Sequence, residues 1–171
     1  MSQFELDYPN YQAHRYWMNQ AIALAAAAGD AGEVPVGAIV LAPDGTLLAT
    51  GENRRERDHD PTAHAEVLAL RAAGQRLQSW QLRHCTLYVT LEPCPMCTGA
   101  IILSRLATLV YGADDLKTGA VRTVANIPDS ACSNHRLSVI SGILASACRQ
   151  QLQNWFREQR RSPSDPPHKT V

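Results

Sequence analysis

Charge of neither sign is in excess in this chain: 16 Lys and Arg face 16 Asp and Glu, for a formal net charge of zero. Whole-molecule electrostatics therefore give no argument for a nucleic-acid partner, which would have to be met by a local patch. Long apolar runs are missing too. The longest falls far short of the roughly 20 residues of a membrane-spanning helix, and no basic-then-apolar leader opens the chain. Five cysteines, an odd number, make no fully paired framework. With the missing leader, this implies a reducing, cytoplasmic setting in which Cys85, Cys132 and Cys148 are free thiols acting as small buried hydrophobes. There is no internal repeat. What remains is ordinary globular composition, 45% hydrophobic and 19% charged over 171 residues, enough for one domain with a good core.

The hydrophobic pattern alternates between two periods. Tyr11 to Ala28 carries apolar residues at helical spacing and is followed by Gly29, which predicts an amphipathic helix ending there. Val36 to Ala42 and Leu47 to Gly51 flank Pro43-Asp44-Gly45, a turn signal, and predict a hairpin. Ala63 to Ala73 and Cys94 to Leu106 read as helices, Thr86 to Leu91, Thr108 to Gly112 and Leu137 to Ile140 as strands, and Ile143 to Arg160 as a closing helix. Strand-helix-strand alternation implies a mixed sheet with parallel crossovers and helices on its faces. The domain is expected over residues 1–161. A disordered tail is expected over 162–171, where Ser162-Pro163-Ser164-Asp165-Pro166-Pro167 breaks all periodicity.

Chemistry concentrates in two short stretches, His64-Ala65-Glu66 and Pro93-Cys94-Pro95-Met96-Cys97. His-x-Glu alone is weak, because a lone histidine near a helix start also serves as a cap or core residue. Cys-x-x-Cys alone divides between a redox pair and a metal site. The redox reading explains neither Pro93 nor the separate His-x-Glu. Together the two stretches offer one imidazole and two thiolates, a set that leaves a fourth tetrahedral position of zinc for water, and a spare carboxylate, Glu66, for proton transfer. Asp60-Pro61-Thr62 reads as a helix start that puts His64 and Glu66 in the first turn. Residues two apart serve one site only where a helix end faces it. Pro95 suits a first helical position, so two helix N-termini are expected to converge on the metal, their dipoles favouring a net negative cluster. The helix from Cys94 to Leu106 has little polar face and must be covered nearly all round, either by its own chain or by a second subunit in a homodimer.

Beyond these motifs, Glu33-Val34-Pro35-Val36-Gly37-Ala38, Asn53-Arg54, His59 to Glu66, Thr86 to Cys94, Lys117-Thr118-Gly119-Ala120 and Asn134-His135-Arg136 resemble the bacterial tRNA-specific adenosine deaminases of the TadA type. These belong to the cytidine/deoxycytidylate deaminase superfamily. The likeness spans roughly residues 10 to 160. It implies a three-layer α/β/α fold on a central mixed five-stranded sheet, cytidine-deaminase-like, and conversion of adenosine to inosine at the wobble position of a tRNA anticodon, with an arginine tRNA as substrate. It also implies one Zn2+ per subunit on His64, Cys94 and Cys97, with Glu66 as proton shuttle. Asn53 and the backbone of Ala65 would bond the nucleoside, and Pro35 and Val36 would wall the base. Asp115, Lys117, Phe156 and Arg157 would meet the anticodon stem-loop, in a surface that Asn134, His135 and Arg136 extend.

Read without the resemblance, these residues have plainer roles. Asn53 caps a turn, Pro35 ends a loop, Asp115 and Lys117 form a solvated pair, and the last helix keeps Phe156 inward and its arginines in water. Two other functions stay open: deamination of a free base or nucleoside such as cytosine, and a non-catalytic RNA-binding module whose zinc is closed by Cys85, Cys132, His59 or His84.

Overall fold

The computed structural model describes residues 10–160, so the expected tail lies outside the described residues. Helix α1, Tyr11–Asp30, buries Met18, Ala21, Ala25 and Ala28 on one stripe at spacings of three and four. It runs through Gly29 rather than ending there. Strands β1, Gly37–Leu41, and β2, Leu47–Glu52, form the expected hairpin, in which the Asp44 carboxylate accepts from the Thr46 N–H at 2.9 Å. A four-residue helix, α2, Arg55–Asp58, follows and was not foreseen. Then come α3, Ala65–Leu77; β3, Thr86–Leu91; α4, Pro95–Leu103; β4, Thr108–Ala113; β5, Ser138–Ile140; and α5, Ala145–Gln159.

The sheet has five strands in the order β2-β1-β3-β4-β5. β1 is antiparallel to β2 and β3, and β3, β4 and β5 are mutually parallel. The expected mixed sheet and its three layers are therefore present. Alternation along β1 divides the core: Ala38 and Val40 join Ala65, Ala69, Leu87, Val89 and Ile101 under α3 and α4, while Ile39 and Leu41 join Met18, Ala21, Tyr88, Val110 and Cys148 under α1 and α5. Each strand of six residues spans roughly 20 Å. The sheet thus has two well-separated edges, one where the parallel strands begin and one where they end.

Helix α3 lies very close to the hairpin. A Cβ on Gly51 would come within 2.2 Å of the Ala65 carbonyl, so only glycine lets the start of α3 settle against β2. That contact fixes where the first turn of α3 points, which is over the strand-end edge.

Candidate active site

The helix starts differ by one or two residues from the expectation, and the difference matters to the chemistry. Asp60 does not cap α3; its carboxylate closes a local turn onto the Thr62 N–H and hydroxyl, both at 2.7 Å. His64 is the N-cap instead, with extended backbone, and its carbonyl accepts the first helical bond, from Leu68. Cys94 is likewise the N-cap of α4, with Pro95 opening the helix and the Thr98 N–H bonding the Cys94 carbonyl at 2.8 Å. Two ligand candidates therefore sit at helix caps, and Glu66 and Cys97 lie within the first turns behind them. The expected convergence of two helix N-termini is present, at these shifted positions.

His64, Cys94 and Cys97 bring one nitrogen and two sulfurs within 4.8 Å of one another. His64 Nδ1 stands 3.7 Å from Cys94 Sγ and 3.5 Å from Cys97 Sγ. Tetrahedral zinc, with bonds of about 2.3 Å to sulfur and about 2.0 Å to nitrogen, sets those atoms about 3.5 Å apart, so the donor set fits that metal. Among the described residues the cluster ends at three donors. His59, His84, Cys85 and Cys132 are not part of it. In the metal-free protein the thiols share one negative charge. The hydrogen bond between the cysteines and the neighbouring His64 pull Cys94 down to about 4, and that same bond, with burial, drives Cys97 far up. His64 is raised, chiefly by its bond to Cys94. A bound cation displaces the remaining thiol proton.

Glu66 is 4% exposed, and desolvation raises its carboxyl to about 6. A carboxyl poised there can both accept and return a proton near neutral pH. It lines a cavity of about 120 Å3 with Val34, Val36, Asn53, Arg55, His64 and Cys94, and Asp115 and Thr118 at its rim. Sites for whole drug-sized ligands run to about 300–1,000 Å3, so this one has room for little more than a single flat ring.

The structure brings some of the other candidates here and not the rest. Asn53 lines the cavity, but its Oδ1 accepts from the Ala65 N–H at 3.0 Å and its Nδ2 donates to the Val34 carbonyl at 3.1 Å. The two groups expected to bond a nucleoside thus bond each other, tying β2 to α3. Val36 is on the wall, together with Val34. Pro35 is buried beside Gly29 of α1 and is not among the lining residues. Lys117, Phe156 and Arg157 line a second cavity, about 410 Å3, with Gln153 and Arg160. Asn134, His135 and Arg136 precede β5, whose Ser138 pairs with Thr108 at the start of β4, so they stand at the strand-start edge, across the sheet from His64.

Sequence reasoning missed two buried carboxylates that shape the site. Glu33 accepts from the N–H groups of Glu56 and Arg57, both at 3.0 Å, and so fixes α2, with its first residue Arg55, beside the cavity. Glu92 accepts from the N–H groups of Asp115 at 3.1 Å, Val121 at 3.1 Å, Arg122 at 2.8 Å and Thr123 at 3.0 Å, and from the Thr123 hydroxyl. Burial opposes its charge, yet the bonds from Thr123, Arg122 and Asp115 hold its carboxyl below the ordinary range. The available signal was a glutamate at the end of an apolar strand, where an unpaired charge would be costly.

The MafB19-like deaminase family matches residues 12–160. The tRNA-specific adenosine deaminase of Haemophilus influenzae is 45% identical over 143 residues, which cover 84% of this chain and 83% of that protein. The protein of the same name from Bacillus subtilis is 44% identical over 145 residues, 85% of this chain and 89% of its own length. A solved structure from work on A-to-I editing by tRNA:A34 deaminases at the wobble position of transfer RNA superposes with a TM-score of 0.77 at 38% identity, covering 80% of this chain and 98% of that one.

Proposed function

The chain belongs to the tRNA-specific adenosine deaminases of the MafB19-like deaminase family, and on that footing we propose that it hydrolyses adenosine to inosine at the wobble position of a tRNA anticodon, an arginine tRNA among its substrates. The observation that carries this reading is the buried Glu66 beside the three-donor cluster in a cavity sized for one base. His64, Cys94 and Cys97 hold one zinc ion, which supplies the Lewis acidity that makes water a nucleophile near neutral pH. Glu66 takes a proton from the attacking water and delivers it to N1 of the purine as the new C–O bond forms at C6. It then carries the proton of the new C6 hydroxyl to the amine as the C6–N bond breaks, so that water and adenosine become inosine and ammonia. Val34 and Val36 exclude solvent from the ring, and Asn53 keeps the first turn of α3 in place through Ala65.

A base taken out of an RNA loop needs its neighbours held, and the wall formed by Lys117, Phe156, Arg157 and Arg160 supports that role. Its exposed aromatic ring offers a stacking face next to three cations for phosphates. A homodimer is supported by an apolar groove of about 710 Å3 between α3 and α4, where Trp80 and Leu103 are each 65% exposed. No helix is long and apolar enough to cross a membrane, and a cytoplasmic site fits the free thiols and the tRNA substrate.

The decisive experiment is incubation of the zinc-loaded protein with an arginine tRNA bearing adenosine at the wobble position, followed by nucleoside analysis. Inosine is the expected product. Its absence, with ammonia released from a free base such as cytosine, would overturn the tRNA reading in favour of a free-base deaminase.

A further inference from the structure

The strand-start edge of the sheet carries a cavity that the deamination chemistry does not use. It measures about 340 Å3, and its walls include Arg83, His84, Arg105, His135 and Arg136. In a chain of zero net charge this is a marked local concentration of positive charge.

The charges are largely uncompensated. Arg136 is paired with Asp129 at 3.3 Å. Arg83 bonds the neutral side-chain oxygen of Gln81 at 2.6 Å, and Arg105 bonds the carbonyl and side-chain oxygens of Asn134, both at 2.8 Å. Among the described residues neither of these two guanidiniums has an ion pair. Two of the wall residues also sit where glycine would be cheaper, with φ of 66° at His84 and 60° at Arg105. A non-glycine residue in that region costs of order 1 kcal/mol.

We propose that this cavity is a phosphate-binding site, separate from the catalytic site, that takes phosphodiester groups of the RNA substrate. Guanidinium forks match phosphate oxygens in pairs, and three of them around one concavity fit that geometry better than they fit a neutral ligand. The inference rests on the tRNA reading above for its choice of RNA. The sheet separates this cavity from His64 by roughly 20 Å. An RNA touching both must therefore reach along the sheet, and the proposal gives Asn134, His135 and Arg136 phosphates outside the anticodon loop, apart from the stretch that meets Phe156 and Arg157.

The test compares the zinc-loaded protein with Arg83→Gln and Arg105→Gln, singly and combined, and with Arg83→Lys. Affinity for full-length tRNA and for a short oligonucleotide spanning only the loop is measured across salt concentrations. Arg83→Gln should weaken tRNA binding by about fivefold and lower the salt slope by about one, with Lys restoring most of both, while the loop oligonucleotide binds as before. Arg105 also anchors Asn134, so the exposed Arg83, bonded among the described residues to Gln81 alone, carries the test if Arg105→Gln fails to fold. Unchanged tRNA affinity and slope in Arg83→Gln would overturn the proposal, as would an equal loss for the loop oligonucleotide. Titration of the wild-type protein with inorganic phosphate, followed by His84 and His135 ring proton shifts, identifies the source. Displacement of phosphate by tRNA supports RNA, and phosphate that tRNA cannot displace overturns it. Inosine formation by the wild-type protein is scored separately, so failure of the deaminase reading and failure of this site are told apart.

Discussion

At the scale of single residues the proposed mechanism separates holding the metal from moving the proton. Glu66 is not among the three donors, so Glu66→Ala should keep a full complement of zinc, measured by metal analysis, while turnover falls by at least about a hundredfold. A Glu66→Ala protein with an unchanged rate would end the mechanism. Cys94→Ala removes a ligand and should lose both zinc and turnover. A second prediction concerns the metal-free protein, where burial raises Glu66 from 4.5 to about 6. A raised carboxyl contributes stability that is fully present below pH 4.5 and lost as pH rises through about 6. Glu66→Gln, which never charges, should therefore be more stable than the chelated wild type by about 2 kcal/mol at pH 8, with the gap closing toward pH 4.5. Urea denaturation at both pH values checks it, and an equal difference at both would refute the sign. The clustering of His64, Cys94 and Cys97 with Glu66 beside them was legible in the sequence because the spacing within each of the two motifs is local. The mutual bond between Asn53 and Ala65 was not, because it joins β2 to α3 and depends on how closely Gly51 lets them approach.

At the scale of elements, Thr86–Leu91 was readable to the residue, since a β-rich run bounded by turn signals leaves little choice. The start of α3 was not, because Asp60, a good cap by type, found a nearer partner in Thr62. Helix α2 was invisible for a different reason: the carboxylate that binds its N–H groups belongs to Glu33, more than twenty residues earlier in the chain. Glu92 works in the same way on a larger segment, gathering residues 115–123 around one carboxylate. Gly119 is pressed against it, for a Cβ there would fall 2.3 Å from Oε2. Glu92→Gln would present an amide to groups that are all donors. Each buried donor left unmet costs about 1–3 kcal/mol, so a loss of about 3 kcal/mol is expected. Because this loop carries Asp115, Lys117 and Thr118, KM for RNA should rise more than kcat falls, at unchanged zinc content. Thermal unfolding and steady-state kinetics test both halves, and a fall in kcat alone would count against a positioning role.

At the scale of the whole molecule, the sheet assigns work by edge. The strand-end edge holds the base cavity and the Phe156 wall, and the strand-start edge holds the basic cavity. Between them, along the outer flank of α3 and α4, runs the apolar groove. Sequence patterning required α4 to be covered nearly all round, yet its own chain covers Cys97, Thr98, Ile101 and Ile102 and leaves Leu103 bare. Trp80, beyond the end of α3, stands equally bare on the same groove. Two large apolar side chains on one concave strip, with Val67, Leu70 and Ala100 also lining it, are the surface on which the proposed homodimer would form. The expected mass in solution at micromolar concentration is then twice 18.7 kDa. Leu103→Glu would bury an unpaired charge from each copy in that interface, a penalty of several kcal/mol. Size-exclusion chromatography with light scattering should return the single-chain mass for Leu103→Glu and the doubled mass for Leu103→Met. A wild-type protein that elutes as a monomer would remove the second copy as the groove's occupant. Because Leu103 is exposed in the single chain, Leu103→Glu should remain folded, with near-ultraviolet circular dichroism as the check.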